Sequence, residues 1–146
     1  MMNINLNAPV LCRKSIAINA TSVGVWEVLT DINNWPSWQK DVRKSAIKGP
    51  LIQGTAFSWK SGGININSVI HTAEPYTLFG WSGNAIGLSA VHNWKIVELN
   101  KRTEVHVEES MEGILAKLFK KAMNKKVDTS LDKWLTLLKD HCEHKQ

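Results

Sequence analysis

Residues 88–111 read LSAVHNWKIVELNKRTEVHVEESM, and their alternation decides the fold. Leu88, Ala90, His92, Trp94 and Ile96 fall on one face of an extended chain, with Ser89, Asn93, Lys95 and Glu98 mostly on the other. The period resumes after Asn100-Lys101, where Val105, Val107, Glu109 and Met111 oppose Glu104, His106, Glu108 and Ser110. Two such runs joined by a short polar turn predict an antiparallel hairpin. Opposite residues then have numbers that sum to about 201, which sets His92 against Glu109 on the apolar face.

Working outward, the same twofold period predicts strands over 43–48, 55–60, 64–73, 77–83, 88–98 and 102–111. Gly49-Pro50, Gly54, Ser61-Gly62-Gly63, Glu74-Pro75 and Ser82-Gly83-Asn84 punctuate them. Upstream, Val10, Cys12, Ile16 and Ile18 alternate as a first strand over 10–18, and Thr21 or Ser22 can cap a helix whose apolar face is Val25, Val28, Leu29 and Ile32. Trp35-Pro36-Ser37-Trp38 then reads as a break followed by a second short helix, because proline suits a first helical turn and disfavours helix before itself. Downstream, Leu115, Leu118, Phe119, Ala122, Met123, Val127, Leu131, Trp134, Leu135 and Leu138 form one stripe, predicting a single amphipathic helix of about 40 Å. The expected fold class is α+β, with seven antiparallel strands curved around a long C-terminal helix and two short helices after strand 1. Such a sheet and helix can meet at their ends and leave a hollow between them.

The chain has 146 residues, enough for one domain over 1–146, and 43% hydrophobic with 21% charged residues is ordinary globular usage. No run is long and apolar enough for a transmembrane segment and the start lacks a secretory signal, so a cytoplasmic protein is expected. The formal charge of +5 could attract nucleic acid, acidic lipid or an acidic partner. Lys117, Lys120, Lys121, Lys125 and Lys126 lie among apolar residues at helical spacing, so a solvated helix face accounts for them and no nucleic-acid partner is expected. Cys12 and Cys142 stand apart without a CxxC or Cys/His cluster. His71, His92, His106, His141 and His144 show no ligand spacing, and no metal or cofactor is expected. Nucleotide loops and hydrolase or metalloprotease motifs are also lacking.

A spaced pattern runs through most of the chain, from about Arg13 to His141. It comprises Ala20, Val25-Trp26, Asp31, Trp35-Pro36, Trp38, Gly54-Thr55, Phe57, Trp59, Glu74-Pro75, Phe79, Trp81, His92, Trp94, Glu108-Glu109 and Gly113. In this the chain resembles the START-like, or Bet v 1-like (SRPBCC), superfamily, and within it the bacterial polyketide cyclase/dehydrase and lipid-transport group. It departs from that group's pattern at Lys101-Arg102-Thr103, where Gly-Gly-Thr is common. The resemblance implies a helix-grip fold with an apolar cavity between sheet and helix. It leaves the chemistry open, because carriers, cyclases, hormone receptors and chaperone co-factors share the superfamily.

Seven of eleven aromatic residues are tryptophan, a side chain suited both to filling a core and to lining a cavity. Phe57, Trp59, Phe79, Trp81 and Trp94 fall on the concave face, Met111, Phe119 and Met123 can meet them from the last strand and helix, and Trp38 can line the mouth. With His92 and Glu109 these are the candidate ligand-binding residues. A buried carboxylate beside an imidazole can hold a ligand's polar end, work as general acid and base, or hold the hairpin in register. The favoured function is non-catalytic binding or transport of a hydrophobic small molecule (lipid, polyketide-like or aromatic) by a monomer or homodimer. The alternative is a cyclase/dehydratase-like enzyme using His92 and Glu109 as an acid–base pair. A third possibility is a protein-interaction module using the basic C-terminal helix or the Gly62 hairpin.

Overall fold

We describe residues 1–144 of a computed structural model. Seven strands form one antiparallel sheet: β1 (Val10–Ile18), β2 (Val42–Ile47), β3 (Ala56–Ser61), β4 (Ile64–Glu74), β5 (Leu78–Ala85), β6 (Leu88–Leu99) and β7 (Arg102–Glu112). Their spatial order is β1-β7-β6-β5-β4-β3-β2, so β2 to β7 run as a meander and β1 closes against the last strand. The register of β6 and β7 pairs His92 with Glu109 and Leu99 with Arg102, as the alternation predicts. At the turn, Asn100 and Lys101 both take positive φ (53° and 67°), the conformation a two-residue hairpin of the right twist requires. Register shifts between Ile70 and Thr72 and between Val42 and Lys44 mark bulges, which add twist and help the sheet curl.

Between β1 and β2 lie α1 (Ser22–Thr30), a 3-10 turn over Ile32–Asn34, and α2 (Trp35–Trp38). The Thr21 hydroxyl accepts the Gly24 amide (3.1 Å) and so caps α1. Val25, Trp26, Val28 and Leu29 turn the apolar face of α1 into the core.

The C-terminal stripe departs from expectation in one respect. It is broken into α3 (Ile114–Leu118) and α4 (Lys120–His144), with Phe119 leaving helical conformation at φ −117°, ψ 35°. Different anchors explain the break. The start of α3 is held at the β5–β6 turn, where the Leu115 amide donates to Gly87 O (3.3 Å). By contrast α4 lies along β1. Asn124 donates to Pro9 O (2.8 Å) and accepts the Leu11 amide (3.1 Å), while Lys14 meets Asp128 (2.8 Å) and Asp132 (3.3 Å). One straight rod cannot satisfy both, so the inward stripe runs from Val127 through Leu131, Trp134, Leu135 and Leu138 to Cys142. Leu118, Phe119 and Ala122 face solvent instead. Among the described residues no helix is long and apolar enough to cross a membrane.

Candidate functional site: a carboxylate-anchored histidine in a tryptophan cluster

Because the sheet is antiparallel and in register, alternation on four strands converges on one row: Cys12 of β1, Glu109 of β7, His92 of β6 and Trp81 of β5. His92 is buried, and its Nδ1 lies 3.0 Å from Glu109 Oε1. An ionised carboxylate only accepts, so this contact puts the hydrogen on Nδ1 and leaves Nε2 of the neutral ring with a lone pair. Nε2 is buried and has no partner among the described residues, and the same is true of the Trp94 indole N–H. Trp81 stacks on the imidazole, with centroids 4.3 Å apart and planes 16° apart, and Trp94 lies on it at 5.5 Å and 24°. The two indoles lock the ring in place, and Glu109 sets its tautomer.

Around this histidine the candidate aromatics form one edge-to-face cluster. Trp35, fully buried, lies 5.7 Å from Phe57, 5.4 Å from Trp59, 5.5 Å from Trp81 and 5.1 Å from Trp134. Phe79 packs 5.4 Å from Trp81, and Trp134 reaches up from α4 to Trp94 (6.0 Å) and His92 (6.5 Å). Such centroid separations are direct ring contacts, so indoles occupy the space between sheet and helix. The Trp59 N–H donates to Ser68 Oγ (3.1 Å) and the Trp35 N–H to Leu29 O (2.9 Å), whereas the Trp94 N–H is fully buried with no partner among the described residues.

Of the remaining candidates, Met111 and Met123 are half-buried against the core. Phe119, expected to point inward, is instead 57% exposed at the helix break and takes no part in the cluster. Trp38 packs on Trp134 (5.6 Å) and stacks on His141 (6.2 Å). With Leu137, Asp140 and His144 they border an open hollow of about 340 Å³ at the end of α4. A second open hollow, about 590 Å³, reaches Trp59 and Ile66 beside Lys44, Lys60 and Pro36.

Sequence reasoning did not single out Trp35 and Trp134 as the hub, nor Gln39, which is fully buried with an unpartnered amide nitrogen. Nothing in the local pattern marks them, since only the crossing of α2 and α4 over the sheet brings them to the histidine. Cys12 was legible by alternation. Burial, reinforced by the Asp128 carboxylate, pushes its thiol pKa up, which keeps it protonated and unsuited to be a nucleophile. On the opposite face of the sheet, burial pushes the His71 imidazole down. Among the described residues no group of three or more His, Cys, Asp or Glu could hold a metal ion.

Residues 10–143 match a known family model, polyketide cyclase / dehydrase and lipid transport. The chain belongs to this family. Solved structures with the same fold include a hypothetical protein from Helicobacter pylori (17% identity, TM-score 0.83, covering 97% of this chain and 99% of that one). The Zhui aromatase/cyclase from Streptomyces sp. R1128 aligns at 15% identity and TM-score 0.80, covering 91% and 93%. A START superfamily protein from Mycobacterium smegmatis aligns at 14% and 0.76, covering 93% and 99%. No curated protein sequence matches the chain. Family membership supports a hydrophobic ligand-binding or cyclase role, and at these identities the structural neighbours establish the helix-grip fold alone.

Proposed function

We propose that this protein binds a hydrophobic small molecule bearing a hydroxyl or phenol, and that His92 and Glu109 orient its polar end. One observation carries the reading. In a cluster otherwise apolar, an imidazole fixed by a carboxylate keeps a buried, unused Nε2, and the indole stacked on it at 5.5 Å between ring centroids carries a buried, unused N–H. Leaving such groups unsatisfied costs roughly 1–3 kcal/mol each, which a ligand oxygen would recover by donating to Nε2 and accepting from Trp94. The ligand's apolar body takes the place of ring-to-ring contacts in the cluster, and the hollow that reaches Trp59 is its way in. Burying ~300 Å² of apolar ligand surface is worth roughly 7 kcal/mol before the costs of association, enough for micromolar binding at best.

Quenching of tryptophan fluorescence by a panel of phenols, sterols, polyketide-like aromatics and fatty alcohols tests the proposal. Saturable quenching by hydroxylated members, weakened about tenfold in His92→Leu and less in Glu109→Gln, is expected. Equal binding of ligands with and without a hydroxyl, or no saturable binding at all, would refute it.

The same geometry supports a second reading. A neutral imidazole oriented by a carboxylate through Nδ1 is the arrangement of a general base, which here would take a proton at Nε2 in a cyclisation or dehydration of a polyketide-like substrate. Turnover lost in both His92→Ala and Glu109→Gln with the fold retained would favour it over binding alone, whereas turnover unchanged in both would eliminate it.

A further inference from the structure

We propose that the elbow between α3 and α4, together with the tip of the β5–β6 hairpin, docks on the surface of an anionic lipid bilayer. The proposal goes beyond the ligand site and does not depend on it. At this end of the molecule the apolar residues point outward: Ile86 is 96% exposed, Leu118 68%, Ile114 66% and Phe119 57%. They form one surface, because the Leu115 amide bonds to Gly87 O and a side chain added at Gly87 would meet Ile114 and Leu115 within 4 Å. Asn5, whose amide side chain donates to Glu112 (2.9 Å), brings the exposed Leu6 to the same end.

The fold does not explain these residues. Ile86 sits at the tip of the two-residue β5–β6 turn, where Gly87 supplies the positive φ (75°), and its side chain gives nothing to the core. Nor is the elbow a frayed end, since Gly113 abuts Gly87 so closely that a Cβ there would lie 2.5 Å from its carbonyl oxygen, and Asn124 ties the start of α4 to β1.

Charge identifies the partner. Residues 113–127 contain Lys117, Lys120, Lys121, Lys125 and Lys126 and no acidic residue. All five lysines are exposed, and none makes an ion pair with a described residue. Of the eighteen basic residues these five equal the net charge of +5, and the other thirteen balance the thirteen acidic ones. Exposed aliphatic and aromatic side chains flanked by unpaired lysines fit a surface that is negative at the headgroups and apolar just beneath. A nucleic acid would use the lysines but would not reward Ile86, Ile114, Leu118 and Phe119.

Co-sedimentation of the full chain with extruded vesicles tests the proposal. Binding to vesicles of 30% phosphatidylglycerol in phosphatidylcholine, and little to pure phosphatidylcholine, is expected. Each lysine near an anionic surface is worth roughly a fivefold factor, so Lys120→Gln with Lys121→Gln should weaken binding roughly 25-fold. Leu118→Ser with Phe119→Ser should also weaken it, with thermal stability unchanged because both side chains are exposed. Ile86→Ser provides the same check independently of the helix. Equal binding to both kinds of vesicle, or binding unaltered by all three variants, overturns the proposal. So does tight binding to a duplex oligonucleotide without vesicle binding. Self-association through the elbow without vesicle binding overturns it as well.

Discussion

Replacing Glu109 by leucine isolates the contact on which the site is built. In the wild type His92 exposes 4% of its side chain and Glu109 12%, with Nδ1 and Oε1 3.0 Å apart. Leucine is close to glutamate in size but cannot accept, so the imidazole would keep neither of its ring nitrogens satisfied. An unsatisfied buried donor costs about 1–3 kcal/mol, and the lost hydrogen bond is contained in that figure. For a domain of this size 1 kcal/mol moves Tm by roughly 2–4 °C, so Glu109→Leu should lower Tm by about 4–8 °C at the middle of the range. His92→Phe strands the carboxylate instead and should cost about 2 kcal/mol. The double variant removes both polar groups, and its cost should fall short of the sum of the singles by at least about 1 kcal/mol. Urea unfolding followed by tryptophan fluorescence measures all three, because the indoles surround the pair. Additive costs, or a Glu109→Leu change below about 0.5 kcal/mol, would show that the two side chains do not act as a unit.

Trp35 should be a highly sensitive aromatic. Trp35→Ala removes a fully buried indole that touches four other rings and should cost about 3–5 kcal/mol in urea unfolding, against a smaller loss for Trp35→Phe. Lys101 holds a left-handed backbone (φ 67°) that glycine adopts freely, so Lys101→Gly should raise stability by about 0.5–1 kcal/mol, seen as a Tm gain of roughly 1–4 °C. The folded His71 imidazole binds its proton less tightly than the unfolded one, because burial lowers its pKa from 6.5. The stability linked to it is present above about pH 6.5 and is lost as pH falls through the folded value. Urea midpoints measured between pH 8 and pH 5 should therefore decline less steeply in His71→Gln than in the wild type.

Alternation and turn chemistry by themselves determined the seven strands, their antiparallel order along the meander and the pairing of His92 with Glu109. A strand has a period of two and a tight turn leaves only one register, so these are local facts that add up along the chain. The capped helix after strand 1 and the second short helix at Trp35–Trp38 were legible for the same reason, although the first helix ends at Thr30, so that Ile32, expected on its apolar face, lies in the 3-10 turn instead. The tertiary structure alone decided that α3 and α4 part at Phe119, since the apolar stripe continues through that residue and only anchors distant in sequence, at Gly87 and along β1, pull the two pieces apart. It also decided that Trp35 and Trp134 meet over the histidine and fill the space in which a guest was expected. Their neighbours come from α2, α4 and three strands, β3, β5 and β6, and residue spacing carries no record of how far apart such layers settle when large rings pack between them.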